Sequence, residues 1–148
     1  METKQYLKQI SRMEKMIQNK LAEIYQLKTM AYGVTVSGGE KERVQSSPDQ
    51  DKLGNAVSKI VDLESETDRL VDRFLAKRNH IINQIDSMEN SDYYDILSLK
   101  YVFGHSFEEI ADKTGWSIRQ VFRIHGRALQ EFERLFGYEY LQVGSEWQ

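Results

Sequence analysis

The sequence predicts an all-α fold: a long antiparallel helical hairpin of coiled-coil character followed by a small domain of short helices. Three observations carry this. Apolar residues recur three or four apart over two long stretches, with charged residues between them. Serine and glycine punctuate the carboxy-terminal third at helix-length intervals. A single proline in 148 residues leaves few places where a helix must break.

The first helix is expected from about Lys4 to Ala31, on the stripe Leu7, Ile10, Met13, Ile17, Leu21, Ile24 and Leu27. It stops at Gly33. Residues of about 33–51, with Gly38, Gly39, Ser46, Ser47 and Pro48, read as a loop. From Leu53 a second stripe runs through Val57, Ile60, Glu64, Thr67, Val71, Phe74, Arg78, Ile81 and Ile85 to Met88, in steps of four and three. Leu63 and Leu70 flank its polar positions, so the stripe is expected to widen there. At 1.5 Å per residue such a helix extends roughly 55 Å, more than the shorter first helix covers. Residues 1–90 are therefore read as a helical hairpin whose surplus seam holds a homodimer.

Ser91 and Asp92 offer capping side chains to a helix carrying Ile96, Leu97, Leu99 and Val102 and ending at Gly104. Ser106 with Glu109, and Ser117 with Gln120, have capping-box spacing. They open a short helix closed by Gly115 and a last helix through Ile118, Val121, Ile124, Ala128, Phe132 and Leu135 to Gly137. This delimits a domain of residues 91–137 and a tail of 138–148, whose Tyr138, Tyr140, Leu141 and Trp147 are expected to pack back on the helices.

Composition excludes several classes. Zero cysteine removes disulfides, thiolate metal sites and cysteine nucleophiles. No apolar run approaches a membrane span and the first residues are not a signal peptide, so the chain is expected in the cytoplasm without a membrane partner. His80, His105 and His125 lack metal-ligand spacing, and read as surface or packing residues, with His125 free to approach a phosphate. Ser37-Gly38-Gly39-Glu40 lacks the lysine of a phosphate-binding loop, and no carboxylate pair marks acid–base chemistry. Neither enzyme activity nor a cofactor or metal is expected.

The net charge of −3 does not suggest a polyanionic partner, but its distribution does. Ala111 four residues before Gly115 and Val121 six after it suit two helices crossing at a tight turn, a helix-turn-helix. Ile110, Ile118, Val121 and Ile124 are expected to pin the second helix to the first. Its other side carries Arg119, Arg123 and Arg127 in steps of four, with Ser117 and Gln120 at the amino-terminal end, and no acid from Trp116 to Gln130. Ser117, Arg119, Gln120, Arg123 and Arg127 are the candidate DNA-binding residues, because Arg and Gln suit guanine and adenine edges and Arg also clamps phosphate.

Leu99-Lys100-Tyr101-Val102, Ser106-Phe107-Glu108-Glu109-Ile110-Ala111, Gly115-Trp116-Ser117, Val121 and Arg127-Ala128-Leu129 together resemble the fourth region of bacterial sigma factors. In that region the matching helix reads the −35 promoter element. The resemblance runs from about Tyr93 to Phe136, and the promoter-melting region of sigma factors has no counterpart here. With its long helical first half, the chain is similar to small prophage proteins of Gram-positive bacteria, the ArpU/RinA-type late-gene transcriptional regulators. This resemblance implies a DNA-binding regulator with double-stranded DNA and, by analogy, host RNA polymerase as partners. A small-terminase-like DNA-packaging protein and a coiled-coil adaptor whose helix-turn-helix binds protein remain as alternatives.

Overall fold

The structure, a computed structural model, describes residues 1–32 and 49–141. It is all-α: among the described residues there is no strand. The order is α1 (Thr3–Leu7), α2 (Gln9–Ala31), α3 (Asp49–Asp86), α4 (Ser91–Leu97), a π turn (Ser98–Val102), α5 (Phe107–Thr114), α6 (Ile118–Phe136) and a closing 3₁₀ turn (Gly137–Glu139). Most of the expected loop of 33–51, and Trp147 of the tail, lie outside the described residues. The second long helix already begins at Asp49, ahead of the Leu53 expected from the stripe. No described helix is long and apolar enough to cross a membrane.

The residues form two compact units. Lys15–Arg73 is one; Met1–Glu14 together with the chain from Phe74 onward is the other. In Lys15–Arg73 the two helices run antiparallel, since Lys20 meets Glu66 at 3.8 Å while the later Lys28 meets the earlier Glu64 at 2.7 Å. Ile24, Ile60, Thr67 and Leu70 are buried. Thr67 is satisfied by donating its hydroxyl to the Leu63 carbonyl at 2.7 Å, and Leu70 joins it inside, so the stripe widens where expected. Leu21 departs from expectation and is 53% exposed. The three–four rhythm passes from Ile17 through Lys20 to Ile24, so the lysine stem occupies the seam and Leu21 falls beside it.

The second unit is larger than a domain of residues 91–137. Its core joins Tyr6, Leu7 and Ile10 to Ile81, Ile85 and Met88, and both groups to Ile96, Leu97, Tyr101, Ile110, Val121, Ala128 and Phe132. Apolar contacts ignore sequence distance, so the boundary expected near residue 90 is replaced by one core with contributions from both sides of it. The end of the expected dimer seam is thereby buried within its own chain, Ile81 and Ile85 completely. Of the tail, Tyr140 packs back, stacked 4.2 Å from Tyr6, whereas Tyr138 stays 70% exposed. Gly137 ends α6 with ordinary right-handed dihedrals, and a Cβ there would lie 2.9 Å from the end of the Leu141 side chain, which would have to shift.

Several polar side chains at this core are paired with one another. Tyr6 donates its hydroxyl to Gln84 at 2.8 Å, and Gln84 donates to Glu139 at 2.9 Å. His80 also meets Glu139, at 2.7 Å, and this hydrogen bond outweighs the cost of burial, leaving that carboxyl below its usual range. Burial, with Glu139 nearby, pushes the Tyr6 hydroxyl up to about 12.

Two local expectations shift. The cap of α4 is Asn90, not Ser91 or Asp92: its backbone is extended and its Oδ1 accepts from the Asp92 and Tyr93 amides at 3.0 and 3.2 Å. The helix expected to run evenly to Gly104 widens into a π turn, which carries Tyr101 inward and leaves Phe103 66% exposed.

Candidate nucleic-acid interface

The helix-turn-helix is built by its caps. Ser106 accepts from the Glu109 amide at 3.2 Å while the Glu109 carboxylate receives the Ser106 amide, completing the first box. Gly115 then takes φ 77°, the left-handed geometry that favours glycine, and returns its amide to the Ala111 carbonyl at 3.0 Å. Thr114 bridges the turn, donating to the Ile110 carbonyl and accepting from the Trp116 amide. Ser117 closes the second box: its hydroxyl accepts the Gln120 amide at 3.2 Å and its own amide donates to Gln120 Oε1 at 2.9 Å. Ser117→Ala should therefore cost about 1 kcal/mol of unfolding free energy. Urea titration reads this as a lower midpoint with the same slope, and an unchanged midpoint would show that the cap does not stabilise the fold.

From this start α6 presents two unlike sides. Val121, Ala128 and Phe132 are fully buried, with Ile110 of α5 fully buried in the same core. Arg119, Arg123 and Arg127 are exposed, and among the described residues none of them makes an ion pair. Arg134, two turns beyond Arg127, is tied to Glu131 at 2.6 Å, so the free cations end where the acids begin. All five candidate residues, Ser117, Arg119, Gln120, Arg123 and Arg127, lie exposed on this one helix and its cap. Gln120 has its Oε1 engaged by the Ser117 amide in the capping box, while both its Nε2 hydrogens are free for a base edge.

Ile118 does not pin α6 to α5, being 41% exposed. Between the two helices, the Phe107 ring of α5 lies 4.9 Å from that of Phe122 on α6, which is itself 53% exposed. His125 is likewise not a phosphate contact. It is buried, its Nε2 lies 2.7 Å from the Tyr101 hydroxyl, and the Phe107 ring meets it edge-on at 5.0 Å. Burial first, then the positive charges of Lys4, Lys100 and Lys8, pushes its imidazole down to about 4. A ring neutral when folded but protonated when unfolded makes stability fall as pH drops below about 6.5, the loss levelling off near pH 4. The full loss is about 3 kcal/mol, at about 1.4 kcal/mol per pH unit. Urea midpoints at pH 7 and pH 5 should differ in the wild type and converge in His125→Gln; equal pH dependence in both would contradict this assignment.

Sequence periodicity gave no sign that cations outside α6 approach it. Lys4 shares a cleft with Gly126, Leu129 and Gln130, and the Lys100 ammonium stands 4.1 Å over the Phe107 ring. Among the described residues no cluster of His, Asp and Glu could hold a metal ion. Neither a protein-family model, nor a curated protein, nor a solved structure matches this chain.

Proposed function

We propose that the protein is a sequence-specific DNA-binding transcriptional regulator that lays α6 in the major groove of double-stranded DNA. The observation that carries this reading is the exposed row Arg119, Arg123 and Arg127, without an ion pair among the described residues, on a helix whose start is fixed by a capping box behind a left-handed glycine turn. Phosphate contacts supply most of the affinity, Arg119 and Arg123 the base discrimination, and Ser117 with Gln120 the angle at which the helix enters. The resemblance to sigma region four extends the reading to late-gene promoters of phage or prophage and to contact with host RNA polymerase.

Self-association as a homodimer belongs to the same proposal, but on the Lys15–Arg73 unit. There Tyr25 and Met30 are 74% and 76% exposed and Val61 57%, whereas Ile81, Ile85 and Met88 are consumed internally. Solution mass distinguishes a dimer from the larger ring of a packaging protein. Sequencing of genomic fragments captured by the full chain tests the function: enrichment of one short motif upstream of genes supports it, and recovery of unenriched DNA or none sinks it in favour of the adaptor.

A further inference from the structure

The first residues of the chain are held against the far end of α6. Thr3 donates to Glu133 at 2.6 Å and shares a 2.9 Å hydrogen bond with Tyr140, while the Met1 amino group donates to the Tyr140 carbonyl at 3.1 Å. This fixes Lys4 over the side of α6 that carries Gly126 and Gln130. Gly126 lies three residues after Arg123, hence on a neighbouring strip of the same helix. Lys8 follows Lys4 by one turn, its amide bonded to the Lys4 carbonyl at 3.0 Å, so the two ammonium groups project from the same side.

Lys4 and Lys8 are exposed, and among the described residues neither makes an ion pair. The cleft lined by Lys4 also holds the carboxylates Glu2 and Glu133, the latter accepting from Thr3, whereas Glu131 is paired with Arg134. Neither Glu2 nor Glu133 forms an ion pair with Lys4 or Lys8 among the described residues. Glycine in mid-helix is unfavourable, and a Cβ at Gly126 would meet nothing within 4 Å, so packing inside the chain does not require glycine there. Leaving that strip without a side chain allows an extended ligand to pass between Lys4 and Arg123. Free cations from two distant parts of the sequence thus flank one groove-sized helix, an arrangement that fits a polyanion wider than the helix itself.

We propose that Lys4 and Lys8 are backbone-phosphate contacts of the same DNA surface as Arg119, Arg123 and Arg127, gripping the duplex beside the segment read by α6. The inference rests on the DNA-binding reading. The test uses the full chain with Lys4→Gln and Lys8→Gln combined, titrated against specific and random duplexes over a salt series. The plot of log affinity against log salt should become shallower by roughly 1.8, about 0.9 for each phosphate no longer neutralised, equally on both duplexes. The pair Lys15→Gln and Lys59→Gln, equal in charge but exposed in the other unit, should leave the slope unchanged. Wild-type protein that binds DNA, with the Lys4/Lys8 variant matching it or the control pair lowering the slope equally, would overturn this inference alone. Wild-type protein that binds no duplex even at low salt would overturn the DNA-binding reading along with it.

Discussion

Replacing Ile85 with alanine should lower the stability of the unit built from Met1–Glu14 and the chain beyond Phe74 by about 2–5 kcal/mol, and aspartate at the same position should unfold it. Ile85 is completely buried beside Ile81 in the cluster that holds Tyr6, Ile96 and Phe132. Truncation leaves a cavity bounded by several helices that cannot all collapse into it; a carboxylate there has no partner and no water. The near-ultraviolet signal of the stacked Tyr6, Phe132 and Tyr140 should disappear with the fold. An Ile85→Asp protein that stayed folded and merely halved its solution mass would show that the residue belongs to a dimer seam instead.

Arg119→Ala and Arg127→Ala should differ in kind. The two side chains are exposed on one side of α6, about 12 Å apart along its axis. Arg119, at the amino-terminal end, is the proposed base reader; its loss should cost roughly 1–3 kcal/mol on the specific duplex and narrow the gap to scrambled DNA. Arg127, two turns on, should hold phosphate, so its removal weakens all sequences alike and lowers the salt slope by about 0.9. Titration of both variants on both duplexes separates the roles. Equal losses on the two duplexes for Arg119→Ala would refute its assignment as a base reader.

The helices and their ends were legible where one local rule decides them. Ser106 with Glu109 and Ser117 with Gln120 made their capping boxes, and Gly115 took the left-handed turn, because these interactions close within four residues. The arginine row needed only helical periodicity. What stayed hidden was set by tertiary packing. A heptad pattern marks Ile81, Ile85 and Met88 as a contact face without naming the partner, which proved to be the chain's own first residues and α4–α6. His125 took the packing one of the two roles expected for it, since a polar ring can be buried once Tyr101 supplies a hydrogen bond, whereas Ile118 left the core expected for it and is 41% exposed. Lys4 and Lys8 carried no signal at all, because their nearness to α6 depends on where Thr3 and Met1 are tied.

In the proposed role this acidic chain both binds duplex DNA through a basic helix and distinguishes sequences with it. Equilibrium titration of the unmodified protein on a captured duplex and its scrambled counterpart, at rising salt, measures both properties. Affinity should fall linearly on a log–log plot as salt rises, with the captured duplex bound about 1000-fold or more tightly than the scrambled one. Salt-independent binding, or equal affinity for the two duplexes, would contradict that role.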